Sequence, residues 1–341
     1  MLEMVALRAE IASEIGMVKE KDGLAIRDTS RENEVLNRFL EISKSIGLSQ
    51  SAARGLAELL IEDAVRAQRN RPRRVLDGKS ALVVGGSGKM GEWTCRFLSN
   101  RGAKVRIWDS RAKLEGYQSV QSIAPFGETA DFIIVAGPLG TCPEDLKAVF
   151  DCSPKGIVFD LCSVKSHIHE TLKEGASKGL LVTSVHPMFG PSAASPKGRN
   201  VIVCDCGCPR ANQSALDLFK GEGAAVSEIS LDRHDELMAY VLGLSHLCSL
   251  LFAGTLVRSG KSVTDLGKVQ GTSFMKMTKM ARELSNESKR VYHDIQSLNP
   301  HTRHMIATME AILRELKKAS LDANPDRFGK IMESEKKFLE V

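Results

Sequence analysis

The sequence predicts an α/β protein built on a doubly wound parallel sheet, with a small all-helical domain before the sheet and an all-helical domain after it. Three observations predict this. Short apolar runs alternate with helix-length segments between residues 80 and 203, the first seventy residues repeat apolar side chains at steps of three and four, and strand patterning disappears after about Asp232. A length of 341 residues sets a prior of two or three domains. With 43% apolar and 26% charged residues, the composition excludes disordered, collagen-like and disulfide-scaffold proteins. The formal net charge of +5 is weak for this length, so nucleic acid is not an expected partner, whereas small anions are suitable ligands.

The amino-terminal segment places Met4, Leu7, Ile11, Ile15 and Val18 on one helix face. Thr29-Ser30-Arg31-Glu32 reads as a capping box opening a second helix, with Val35, Phe39, Ile42 and Ile46 as its inward stripe and Gly47 as its stop. Ser49 or Ser51 caps a third helix that carries Leu56, Leu59, Leu60 and Ile61 towards Gln68. The basic, proline-broken stretch Arg69–Arg74 reads as an interdomain linker, because a nucleic-acid patch would interleave aromatic residues and this one does not. No basic segment followed by an apolar core opens the chain, so no secretory signal is expected. Eight cysteines without such a signal fit free thiols in a cytoplasmic protein. Cys204, Cys206 and Cys208 alternate along an apparent strand, which is not a zinc-binding spacing, and no metal is expected. The uncharged run Leu237–Val257 is long enough to span a bilayer but carries Tyr240, Ser245, His246, Ser249 and Thr255. A buried helix at a subunit or domain interface is the expectation, with no membrane.

Residues 81–84, 105–108, 132–135, 156–159 and 201–203 are the apolar runs of the predicted sheet. Directly after the first comes Gly86-Ser87-Gly88-Lys89-Met90-Gly91, then an amphipathic helix and a second strand ending in Asp109, 18 residues beyond Gly91. Strand, glycine turn, helix, strand and terminal acid in this order form the dinucleotide fingerprint of a Rossmann-type fold. Gly86 is assigned the tight turn, Gly88 the close approach of backbone amides to a pyrophosphate, and Gly91 the packing of helix on strand, with Lys89 and Met90 in the same loop. Asp109 points to NAD, since a carboxylate binds a ribose diol and repels a 2′-phosphate. Ser110 and Arg111 follow it and keep NADP as the lesser option.

Asp160-Leu161-Cys162-Ser163-Val164-Lys165 lies at the carboxyl end of a predicted strand, where open parallel sheets place their ligands, and His186-Pro187-Met188-Phe189-Gly190-Pro191 ends the next. A histidine at the edge of a cofactor crevice is placed to take a proton from a substrate hydroxyl as hydride leaves. At these residues the chain resembles prephenate dehydrogenase, over roughly residues 78–341. The resemblance implies a nucleotide-binding domain over residues 78–232, a helical dimerisation and substrate domain over residues 233–341, and a homodimer. It makes His186 the histidine that receives the ring hydroxyl's proton, Ser163 a serine that assists it, and His246 a second histidine on the helical domain. The resemblance further implies that hydride passes to NAD and that decarboxylation turns prephenate into 4-hydroxyphenylpyruvate. The family's carboxylate-gripping arginine is replaced here by methionine near Phe274, leaving Lys276 to supply charge without the bidentate fork.

Residues 1–72 resemble the all-helical chorismate mutases, which some organisms fuse to prephenate dehydrogenase; the matching residues are Arg8, Lys19, Asp28, Arg31, Glu32 and Gln68. Arg8 and Lys19, 11 residues apart, face nearly the same way on a helix and can bracket a small dianion. A pericyclic rearrangement needs the reactive conformer held and the developing charge on the ether oxygen stabilised. The resemblance assigns that oxygen to Lys19 and Gln68, a carboxylate to Arg8, and the ring hydroxyl to Glu32. Family members carry further helical turns with another arginine before this point, so a handicapped mutase is expected. The leading expectation is tyrosine biosynthesis by both activities, chorismate to prephenate and onward. A dehydrogenase for prephenate or arogenate with a relic mutase domain, and a nicotinamide-sensing regulator, are the alternatives.

Overall fold

The computed structural model describes residues 2–69 and 75–340. Two compact units divide it, Met1–Arg74 and Val75–Val341. Of the expected basic linker only Arg69 is described, as the last residue of a helix; residues 70–74 lie outside the described residues.

The first unit is three helices: α1 (Leu2–Lys21), α2 (Thr29–Ile46) and α3 (Gln50–Arg69). Asp28 opens α2, its carboxylate accepting the amides of Ser30 and Arg31 at 3.1 and 3.2 Å. The cap therefore falls one residue ahead of Thr29, because Asp28 has the extended backbone a cap requires and Thr29 is already helical. Gly47, at φ 72°, closes α2 as expected. Ser49 rather than Ser51 caps α3, its hydroxyl accepting the Ala52 amide at 3.3 Å. Helices α1 and α3 meet through small residues: Ala12 is buried, and a Cβ on Gly16 would stand 3.0 Å from Gln68 Cα. The expected inward stripes are largely uncovered instead, with Ile11, Ile15, Val18, Ile42 and Ile46 all exposed. Apolar periodicity identifies a face but not what lies on it, and three helices of this size lack a second layer.

In the second unit the chain runs β1 (Ser80–Val84), α4 (Lys89–Ser99), β2 (Lys104–Trp108), β3 (Gln118–Ser119), α5 (Phe126–Thr129), β4 (Phe132–Val135), α6 (Cys142–Phe150), β5 (Ile157–Asp160), α7 (His169–Ser177), β6 (Val182–Pro187), β7 (Asn200–Asp205), α8 (Pro209–Lys220) and β8 (Ala225–Ser230). These strands form one eight-stranded sheet in the order β3-β2-β1-β4-β5-β6-β7-β8. Alternate residues of β1 serve opposite cores. Leu82 and Val84 join Ile133, Leu146 and Leu172 on one face, while Ala81 and Val83 join Trp93, Phe97 and Phe219 on the other. The order reverses beside β1, which creates the crevice where such sheets bind ligands. One departure from the expected parallel sheet is β7, which runs antiparallel to β6. A loop joins the two, so the chain turns back without the crossover that a parallel pair requires.

Beyond the sheet, α9 (Leu231–Met238) passes through a π-helical turn at Ala239–Leu244 into α10 (Ser245–Arg258). This 28-residue helix is long and apolar enough to cross a membrane, with a mean hydropathy of 1.7 over its most apolar window. Only 22% of that window is buried, and Tyr240, Val241, Leu250 and Leu251 are exposed, so one chain alone does not bury the helix expected at an interface. Helices α11 (Val263–Lys268), α12 (Thr272–Ser285), α13 (Lys289–Ser297), α14 (Thr302–Ser320) and α15 (Asp326–Leu339) complete the unit.

Candidate active site

The loop after β1 bends at Gly85, whose φ of 79° lies in the left-handed region and whose Cβ would stand 2.6 Å from Gly137 Cα. Gly85 is thus the turn glycine, a role the sequence reading gave to Gly86. The glycine pair was the available signal, but the fingerprint spacing drew attention to its second member. At Gly86 a Cβ would meet the Ile107 side chain at 2.7 Å, so its bareness serves the packing of β2. At Gly91 a Cβ would fall 2.2 Å from the Gly85 carbonyl oxygen, so loop and helix touch here as expected. Gly88 is the N-cap of α4 and offers no side-chain cap, which leaves first-turn amides of that helix for an anion. Lys89 begins the helix exposed, and Met90 packs partly buried against the core.

Asp109 follows β2. Its two oxygens accept the amides of Ser87 at 3.1 Å and Arg111 at 2.9 Å. Burial opposes its ionisation, but the hydrogen bonds from Ser87 and the loop amides outweigh it and hold the acid below the usual carboxylate range. Asp109 lines a cleft of about 220 Å³ with Gly85, Arg111, Gly137, Asp145 and Arg290. An uncapped helix terminus and an ionised carboxylate at the two sides of a glycine turn fit the pyrophosphate and ribose diol of NAD.

At the carboxyl end of β5 the loop holding Ser163 is fastened from below. Lys165 is fully buried, its ammonium donating to Asp160 Oδ1 at 2.6 Å and to the Val185 carbonyl at 2.9 Å. Burial works against its charge, yet Asp160 outweighs this and raises the lysine's pKa. Asp160 also accepts the Ser184 hydroxyl at 2.5 Å, which ties the end of β5 to the middle of β6. Ser163 is half-buried in this loop, and among the described residues no side-chain hydrogen bond is found for it.

His186, near the end of β6, is 3% exposed, and its Nδ1 lies 2.9 Å from His234 Nε2. His234 Nδ1 in turn lies 2.7 Å from Asp235 Oδ1. The carboxylate also accepts the Lys165 and Ser166 amides and the Ser166 hydroxyl, and its pKa sits at about 2 because these bonds and His234 outweigh its burial. An ionised carboxylate only accepts, so His234 carries its proton on Nδ1 and offers a bare Nε2. His186 must then donate from Nδ1, which leaves its Nε2 as an unprotonated base. Burial, His234 and the Lys165 ammonium all depress the proton affinity of His186, against a smaller opposing effect of Asp235. Sequence reasoning missed His234 and Asp235; an adjacent histidine and aspartate in a helix carry no spacing signal.

His246 stands in the first turn of α10 in the same unit. Its ring rests on Tyr292 with centroids 4.4 Å apart, and burial lowers its pKa. It lines a cavity of about 290 Å³ with Ser249, Met280, Glu283, Glu287 and Tyr292, which shares no lining residue with the Asp109 cleft. Lys276 is exposed on α12, one turn before Met280 on the same helical stripe.

In the helical unit, Lys19 Nζ donates to the Ile26 carbonyl at 2.8 Å and the Arg8 guanidinium donates to the Leu60 carbonyl. Gln68 is buried beside Gly16, one turn before Lys19. Glu32 has one buried oxygen without a partner and its other 3.6 Å from Arg27, a residue the sequence reading did not single out. Asp28 is engaged as the cap of α2, and Arg31 points to solvent, paired with Glu34 at 2.6 Å.

Three family models match the chain: chorismate mutase type II over residues 1–69, the prephenate dehydrogenase nucleotide-binding domain over residues 109–227, and the prephenate dehydrogenase dimerization domain over residues 230–334. The second begins at Asp109, so the glycine loop rests on its own geometry. The T-protein of Enterobacter agglomerans is 23% identical over 86% of this chain and 77% of its own length. A probable arogenate/prephenate dehydrogenase of Methanocaldococcus jannaschii is 25% identical over 73% of this chain, and the match spans 58% of that relative's length. Prephenate dehydrogenase from A. aeolicus, solved with hydroxyphenyl propionate and NAD+, shares the fold with a TM-score of 0.62 at 23% identity, over 78% of this chain and 99% of that one. The chain belongs to the prephenate dehydrogenase family, in the arrangement that carries chorismate mutase type II sequence ahead of the dehydrogenase.

Proposed function

We propose that this protein rearranges chorismate to prephenate and oxidatively decarboxylates prephenate to 4-hydroxyphenylpyruvate in tyrosine biosynthesis. The observation that carries the dehydrogenase is the buried chain from Asp235 through His234 to His186 at the strand ends beside the cofactor crevice. Gly85, Gly88, Gly91 and Asp109 hold the dinucleotide, which when bound accepts hydride from the substrate's hydroxyl-bearing ring carbon. As that hydride departs, His186 Nε2 takes the hydroxyl proton, and the positive charge that results is shared towards Asp235 through His234. Loss of the ring carboxylate as carbon dioxide then drives its electron pair into the ring and onto the carbonyl oxygen, which takes the proton back from His186 to give the aromatic phenol. Ser163, on the neighbouring strand end, orients the hydroxyl, and His246 and Lys276 serve the substrate from the helical domain. The mutase reading rests on Arg8, Lys19, Glu32 and Gln68; Arg8 and Lys19 exchange backbone carbonyls for substrate oxygens. A second copy of the chain covers the exposed faces of α1, α2 and the α9–α10 helix, in keeping with a carboxyl-terminal domain described as one for dimerisation. Eight free cysteines suit a cytoplasmic location.

Incubating the purified chain with chorismate alone is expected to yield prephenate, and with NAD to yield 4-hydroxyphenylpyruvate, with NAD used more efficiently than NADP. Turnover of arogenate but not prephenate would reassign the substrate, and absence of both products would remove the reading.

The depressed proton affinity of His186 has a sign that pH can check. A base whose pKa lies well below 6.5 stays neutral throughout the neutral range. Dehydrogenase kcat/KM is therefore expected to stay level as pH falls from about 8 to 6.5, and to drop only below that. An acid limb with its midpoint at or above 6.5 would contradict the assignment.

A further inference from the structure

The cofactor cleft contains a second carboxylate besides the ribose-binding acid. Asp145 stands in the first turn of α6, half-buried, and a Cβ built on Gly137 would lie 2.8 Å from its Oδ2. The Thr141 hydroxyl donates to the same oxygen at 3.3 Å. Asp145 and Asp109 line one space together with Arg111 and Arg290, the last reaching in from α13. Burial raises the pKa of Asp145, and Glu144 and Asp109 raise it further, against the Thr141 hydrogen bond and Arg111. The two aspartates thus sense each other's charge across the cleft.

We propose that Asp145 is a specificity-determining residue for the cofactor, one that balances the two arginines and, with Asp109, excludes the 2′-phosphate of NADP. This rests on reading the cleft as the adenosine end of a dinucleotide site. Asp109 alone would leave one carboxylate against two guanidinium groups, a net positive cleft that attracts a phosphate dianion. With Asp145 the formal charge of the lining is zero, so a phosphate meets no net attraction and two carboxylates at short range. The ribose diol of NAD is neutral and bears no such cost.

The test is calorimetric titration of the full chain with NAD+ and with NADP+, for the parent and for Asp145→Asn. Asparagine keeps the acceptor for Thr141 and removes the charge. The NADP+ dissociation constant is expected to fall about tenfold, the size of effect one partly screened charge exerts, while that of NAD+ stays within about twofold. Unchanged NADP+ affinity in a variant that binds NAD+ normally would overturn the proposal and leave the dinucleotide reading standing. Parallel weakening of both cofactors would assign Asp145 to the adenine, and also overturn it. Failure of the parent to bind either cofactor would bring down the cleft's assignment and the proposal together.

Discussion

Replacing His186 with asparagine is expected to lower dehydrogenase turnover with prephenate by about two to four orders of magnitude, the span that general base catalysis supplies. Asparagine retains a polar group that can donate to His234 Nε2, so the buried contact at 2.9 Å has a substitute and the fold is expected to survive. What disappears is the ring nitrogen that receives the hydroxyl proton. Cofactor affinity, measured by titration with NAD+, should remain within about threefold, because the glycine loop and Asp109 lie on other strands. Near-normal turnover by a well-folded His186→Asn protein would remove the histidine from the reaction.

Lys19→Ala is expected to reduce conversion of chorismate by about two to three orders of magnitude, the usual cost of removing a donor aimed at charge that develops in a transition state. Prephenate supplied directly should still be oxidised at close to the parent rate, since His186 and Asp109 belong to the other compact unit. Among the described residues, Lys19 Nζ donates to the Ile26 carbonyl, a part-buried acceptor in the turn between α1 and α2 and outside the helices themselves, so its loss threatens little of the helical packing. Loss of both activities together would mean that the substitution unfolds the chain. An unchanged mutase rate would remove Lys19 from the rearrangement.

The parts of this molecule legible in its sequence are those set by local pattern. Strands such as Phe132–Val135 announce themselves as apolar runs, and Gly91 is fixed by its distance from Gly88 and Asp109. The antiparallel β7 was not legible, because strand direction depends on the path of a loop rather than on the residues of Asn200–Asp205. The capping aspartate of α2 was displaced by one residue, since Asp28 and Thr29 are both good caps and only the backbone distinguishes them. The exposure of Ile15 and Ile46 was equally hidden: periodicity is a property of one helix and burial a property of its neighbours. For the site, His186 followed from its place at a strand end. Its support from His234 did not, because 48 residues and a change of domain separate the two.

That separation bears on whether the two halves of the dehydrogenase can be taken apart. The residues that give His186 its tautomer, His234 and Asp235, sit on α9, where the sheet has ended and the helical region begins. The Lys165 and Ser166 amides bind the same carboxylate, so the loop from β5 is fastened to α9 as well. A nucleotide-binding half cut free before α9 would keep its glycine loop and Asp109, yet its histidine would distribute the proton between both ring nitrogens. Such a fragment would be a cofactor receptor with an undirected base. Chemistry in this protein is thus a joint property of sheet and helices, and an exchange of helical domains between relatives has to carry α9 along with it.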